Sequence, residues 1–195
     1  MVPGEKFASS RVERMTSGIL GVNIMVALTN FSDMVKTSIE EGIDIIFSGA
    51  GLPLDLPRYL KNGIETKLVP IISSARAAKI LCRKWLAKFN YLPDAFVVEG
   101  PKAGGHLGFK TEQIDHPSFK LQKLIEEVIQ VAKPFEQKQR TKIPVIAAGG
   151  VNRPEDAETA IAKGAADLVA VGRAFLADSD WGYHAKRNNV EDIRP

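Results

Sequence analysis

The sequence is short of sulfur, of histidine, of long apolar runs and of any dominant charge. A single cysteine, Cys82, stands among 195 residues. That excludes an internal disulfide and suits a reducing, cytoplasmic setting. No run of about 18 uncharged apolar residues occurs, so no membrane-spanning helix is expected. The stretch from Met1 to Ser10 lacks the apolar centre of a signal peptide. Basic residues number 26 and acidic ones 23, spread along the chain for a formal net charge of +3. No basic face is clustered, so nucleic acid is not an expected partner. No His/Cys/carboxylate group has metal-ligand spacing, and no metal is expected. What remains is 45% hydrophobic and 25% charged. That composition and length suit a soluble globular chain with one domain over 1–195.

Six short apolar, β-branched runs alternate with amphipathic stretches. They are Gly21–Ala27, Asp44–Gly49, Lys67–Ile72, Ala95–Glu99, Ile143–Ala148 and Asp167–Val171. Continuous rather than alternating apolar runs are what parallel strands covered by helices need. Between them, Leu121, Leu124, Ile125, Val128 and Ile129 keep helical spacing behind a candidate N-cap at Ser118. Ala78, Leu81, Cys82, Trp85, Leu86 and Phe89 do the same, which makes Cys82 core filler rather than a nucleophile. A helix after Ser32 should stop at Gly42, and one opening at Pro154 should stop at Gly164. Repeated βα units can close into a barrel or stay an open sheet. No G-x-G-x-x-G follows the first strand, which counts against a dinucleotide-binding sheet.

In a βα barrel, chemistry sits at the carboxyl ends of the strands, and there the glycines gather. Glu99-Gly100-Pro101-Lys102-Ala103-Gly104-Gly105-His106-Leu107-Gly108 sets a histidine among glycines at one such end. Glycine lets backbone N–H groups approach an anionic or planar ligand, and histidine takes a proton near neutral pH. The plainer alternative is a loop with an incidental surface histidine. Ala148-Gly149-Gly150 and Val171-Gly172-Arg173 close the last two strands, where barrels commonly hold a phosphate on backbone N–H groups. Arg173 could add a charge-assisted bond, or the glycines could simply permit tight turns. His116 and His184 read as surface residues, and Asp33, Glu40 and Glu41 as solvated helix charges.

The segments GVNIMVALTNF, DIIFSGAGLPLDLP, KLVPIISSARAAK, PDAFVVEGPKAGGHLGF and KIPVIAAGG resemble the nitronate monooxygenase family. That family, once called 2-nitropropane dioxygenases, includes FMN-dependent enoyl-ACP reductases. The likeness runs from about residue 18 to 150. The tail, NRPEDAETAIAKGAADLVAVGRAFLADSDW to EDIRP, resembles the old-yellow-enzyme and dienoyl-CoA reductase family, another set of FMN barrels. The expectation is therefore a single TIM-type (β/α) barrel domain, nitronate-monooxygenase-like over 1–150 and old-yellow-enzyme-like over 151–195. It would be incomplete, with about six βα units and the N-terminal ones missing, and would hold FMN without a covalent link.

Carried over by position, the resemblance implies that His106 is the catalytic residue. It would take the proton α to a nitro group or help protonate a product. Asn23 would contact the flavin, and Gly104 and Gly105 would line it. Gly149 and Gly150 would meet its phosphate, with Ala170, Val171, Gly172 and Arg173 standing where members carry a phosphate loop. Glu99 occupies the place of a glutamine that faces the flavin in many members. The substrate would be a small molecule: an alkyl nitronate oxidised with dioxygen, or an enoyl thioester reduced with NAD(P)H. A different reading is a truncated or composite barrel, natural or engineered, that folds without activity. Two unpaired sheet edges would then invite a homo-oligomer that covers them.

Overall fold

The computed structural model describes residues 17–61, 63–105 and 108–194. His106 and Leu107 lie outside the described residues, as does the stretch from Met1 to Ser10. Six parallel strands form one sheet in sequence order: β1 Gly21–Met25, β2 Ile45–Gly49, β3 Lys67–Ile72, β4 Phe96–Glu99, β5 Val145–Ala148 and β6 Leu168–Ala170. Each strand pairs in register with the next. The helices between them are α1 Phe31–Glu40, α2 Ala75–Phe89, α3 Leu121–Gln139 and α4 Pro154–Ala162, followed by α5 Arg173–Ala177 and α6 Trp181–Arg187. A short 3-10 turn, Leu56–Tyr59, replaces a helix between β2 and β3. The fold is an incomplete TIM-type barrel.

Strand alternation divides the apolar residues into two sets. Ile24, Ile46, Leu68, Ile72, Phe96, Val98 and Val145 point outward and are buried beneath the helices. Leu81, Cys82 and Trp85 of α2 and Leu124, Ile125 and Val128 of α3 close that layer. Each such aliphatic side chain contributes roughly 1.5–3 kcal/mol by leaving water. Trp85 is fully buried, and its Nε1–H donates to the Pro53 carbonyl at 3.0 Å. Burial first, then the nearby Glu136 carboxylate, push the Cys82 thiol up to about 12, so it stays protonated and inert. The opposite, concave face carries a smaller cluster, Val69, Ala95 and Val97, flanked by half-buried Ile45, Phe47, Ile71 and Ile146. A closed barrel fills this interior. Here it forms the floor of a cleft.

Three aspartates fasten the opposite, amino-terminal end. Asp44 accepts the Leu20 N–H, Asp94 the Leu68 N–H and Asp167 the Val145 N–H, at 2.8, 2.8 and 2.9 Å. Each stands just before an even-numbered strand and holds the start of the strand before it. Pro70, which cannot donate, sits where β3 changes partner from β2 to β4.

Several local expectations shift. The third strand has its expected bounds, whereas the others are shorter than their apolar runs, because ladder pairing ends before hydrophobicity does. Ser118 does not cap α3; it lies in a 3-10 turn, Pro117–Phe119, and Lys120 precedes the helix. α2 is capped by Ser74, whose hydroxyl accepts the Ala77 N–H at 3.3 Å. His184 is not a surface residue: its Nδ1 is buried, and its ring lies within 4.0 Å of Asp178 and Asp192. His116 is exposed and accepts the Ser118 N–H.

Candidate functional site

At the carboxyl ends of the strands, three glycine-bearing loops brace one another. The Gly100 N–H donates to the Ala148 carbonyl at 2.9 Å, tying the end of β4 to the end of β5. Gly149 has φ +113°, and a Cβ built on it would lie 2.8 Å from the Ala103 backbone nitrogen. Only glycine allows that approach. Arg173, at the start of α5, sends one guanidinium N–H across to the Lys102 carbonyl at 2.8 Å, so the β6 loop is fastened to the β4 loop. The side chain is thus committed in part to the scaffold, with further N–H donors left on the same fork.

These loops enclose a cleft of about 810 Å3. Its floor is the concave face of the sheet: Phe47, Ile71, Val97, Ile146 and the half-exposed Leu168. Asn23, on the inward face of β1, borders it from one side. Glu99, on the inward face of β4, borders it between the floor and the glycine loops. Gly104, Gly105, Gly149 and Gly150 form one rim, and Ala170, Val171, Gly172 and Arg173 another. Every described residue that the sequence placed in the site therefore meets at a single cleft. His106 was expected there too and lies outside the described residues.

Sequence reasoning missed the floor. Phe47, Ile71, Val97 and Ile146 belong to continuous apolar runs, and only the register of the strands decides which members face inward. It also passed over Lys102, Asn152 and Leu176, which line the cleft. Lys102 stood inside the glycine segment and its charge was a usable signal. Asn152 and Leu176 offered none. Lys102 pairs with Asp115 at 3.2 Å, but both are largely exposed, so the pair contributes little. The arrangement suits a planar, largely apolar group on the floor and an anionic group on backbone N–H donors at the rim.

Among the described residues, no helix is long and apolar enough to cross a membrane. Comparisons with known proteins agree with the geometry. A curated NADH oxidase from Thermoanaerobacter brockii is 48% identical over 59 residues, 30% of this chain and 9% of that protein. A metal reductase from Desulforamulus reducens is 38% identical over 58 residues, again 30% of this chain and 9% of that protein. Among solved structures, FabK from Thermotoga maritima superposes with a TM-score of 0.68 at 30% identity, covering 88% of this chain and 47% of its own. A nitroalkane oxidase from Streptomyces ansochromogenes shares the fold, with a TM-score of 0.65 at 19% identity over 86% of this chain and 54% of its own. The chain thus spans about half the length of these solved relatives. The family model for nitronate monooxygenase matches residues 3–190, past Val151 and through most of the tail, and the chain belongs to that family.

Proposed function

We propose that this chain is the flavin-binding part of an FMN-dependent oxidoreductase that oxidises alkyl nitronates with dioxygen. The observation that carries the reading is the convergence of three glycine loops on one cleft with an apolar floor. The residues fit the group. Among the described residues, no atom outside the adjoining ones lies within 4 Å of where a Cβ on Gly105 or Gly172 would sit, which leaves room for a ligand beside the backbone at both places. Gly149, Gly150 and Gly172, with Arg173, would hold the phosphate end, where backbone N–H groups and a guanidinium suit a dianion. Asn23, Glu99, Gly104 and Gly105 would border the ring, above Phe47, Ile71 and Val97. FMN, when bound, supplies an acceptor and donor of electrons that no amino acid offers.

The protein's own part is binding, orientation and proton transfer. With the neutral nitroalkane, His106 would accept the proton from the carbon α to the nitro group and so form the nitronate, a proton transfer for which imidazole is suited. An old-yellow-enzyme character for residues 151–195 would ask for no other ligand, since that family too would place a phosphate on Gly149–Gly150 and Gly172–Arg173.

A second reading keeps FMN and reduces an enoyl thioester with NAD(P)H. The similarity to an NADH oxidase favours a pyridine-nucleotide donor, and the half-open apolar floor has room for an acyl chain. The test is optical. Adding FMN to the purified chain should produce a protein-bound absorbance band at about 450 nm. Dioxygen consumption is then followed with a nitronate, and NADH consumption with a crotonyl thioester. Turnover of the first alone supports the nitronate reading, and turnover of the second alone the reductase. A chain that binds no FMN is a folded barrel fragment without activity and overturns both.

A further inference from the structure

A second pocket, of about 500 Å3, shares Asn152 and Arg173 with the main cleft. Its walls are the start of α4, the α5 helix and the C-terminal segment from Val190 to Arg194. The charged residues that line it are Arg153, Arg173, Arg194 and Glu191. Their backbones are held in place from several directions. Asp156 accepts the N–H groups of Asn152 and Arg153 at 3.3 and 3.1 Å. The Trp181 indole N–H donates to the Asn152 carbonyl at 3.1 Å. Asp178, itself 1% exposed, accepts the Arg194 N–H at 3.2 Å and so draws the C-terminal segment against the pocket. Arg173 is anchored through Lys102.

Among the described residues three arginines thus line one pocket, and the buried Asp178 carboxylate interacts with Arg194. Glu191 is a single carboxylate on the wall. Glu155 pairs with Arg153 at 3.6 Å, but both are largely exposed and the pair is weak. The planar guanidinium fork matches phosphate oxygens, and several forks converging on one anion give strong charge-assisted bonds. Ala174, Ala177 and Ile193 add an apolar wall.

From this we infer that the pocket is a second phosphate subsite, taking the phosphate or pyrophosphate of a nucleotide-type ligand whose reacting part enters the neighbouring cleft. The placement of that reacting part rests on the flavin reading above; the anion subsite itself does not. Its source is a phosphorylated pyridine nucleotide or a coenzyme-A-type thioester, which present the same chemistry to arginine.

The experiment is a calorimetric titration of inorganic pyrophosphate into the chain, with and without FMN, for the wild type, R153Q, R194Q and R194K. FMN affinity is measured separately by flavin fluorescence. Saturable pyrophosphate binding should persist in the presence of FMN. It should weaken about tenfold or more in R153Q and R194Q, less in R194K, with FMN affinity unchanged. Adenosine 2′,5′-bisphosphate binding more tightly than the 3′,5′ isomer would identify a pyridine nucleotide as the source, and the reverse order a thioester carrier. If FMN does not bind at all, pyrophosphate binding that R153Q and R194Q weaken still upholds the subsite while the flavin reading fails. Absence of saturable binding, full displacement by FMN, or wild-type affinity in both glutamine variants overturns it.

Discussion

Gly149 and Gly172 face the same cleft for different physical reasons. Gly149 needs its positive φ and its missing Cβ to let the β5 loop touch the Ala103 backbone, whereas among the described residues Gly172 has open space where a Cβ would point. Gly149→Ala should therefore cost stability, by roughly 1–3 kcal/mol, through strained backbone and displaced loops. FMN affinity should fall with it. Gly172→Val should leave the thermal unfolding midpoint nearly unchanged and weaken FMN by crowding the proposed phosphate end. Thermal denaturation beside a flavin titration separates the two, and a Gly172→Val variant with wild-type affinity would refute the placement of the phosphate. His106→Asn should retain FMN and lose about 100-fold in proton transfer. Stopped-flow flavin reduction by a neutral nitroalkane measures it, and equal rates would remove His106 from the catalytic role. At this scale the sequence was informative wherever a residue's chemistry is unusual for its place, as with the glycines at 149 and 150 and the arginine at 173, which border one cleft. It was silent where identity is ordinary and position decides, as with Val97 and Ile146 on the cleft floor.

At the scale of elements, the aspartates that precede β2, β4 and β6 do for parallel strands what capping residues do for helices: each carboxylate takes up a backbone N–H at the mouth of the neighbouring strand. Asp167 is the most informative of them. Burial pushes its carboxyl up, but the Lys142 ammonium and the Val145 N–H outweigh that and hold it below its ordinary value of 3.8. A carboxyl with a lowered folded-state pKa stabilises the fold above its unfolded pKa, and that contribution is lost as pH falls through the folded value. Asp167→Asn should thus cost about 1 kcal/mol at neutral pH, a figure kept small because the Lys142 partner is solvent-screened. The deficit should shrink as the pH drops below about 4. Urea unfolding at neutral and acid pH checks this; a cost independent of pH would mean that the carboxylate's charge is irrelevant. Helix positions were legible from apolar spacing, and the ends of α1 and α4 near Gly42 and Gly164 from glycine chemistry. The start of α3 was not, because Ser118 lies one short 3-10 turn too early and local hydrogen bonding favoured that turn.

For the whole molecule, the important fact is that the described residues cover the concave face of the sheet only in part. Among the described residues, β1 and β6 each pair with a single strand, and beside β6 Leu168, Phe175 and Leu176 are 54%, 43% and 87% exposed. Apolar surface beside an unpaired strand edge is a site of association. The purified chain should self-associate with rising concentration, and Leu176→Glu should shift it toward the monomer with little change in unfolding temperature. Light scattering across a concentration series tests this, and a wild-type chain that stays monomeric throughout would rule it out.

The six apolar runs that become strands, the burial of Cys82 and Trp85, and the set of residues at the strand ends were determined by the sequence alone. Apolar runs, helical periods and the placing of glycine are local properties that do not wait for the fold. Only the tertiary structure decided that Gly149 rests on Ala103, that Arg173 is tied to Lys102, and that three arginines distant in sequence share one pocket. Those relations join loops separated by dozens of residues. Backbone geometry, strand register and the position of the C-terminal segment fix them, and no local pattern in the chain encodes these.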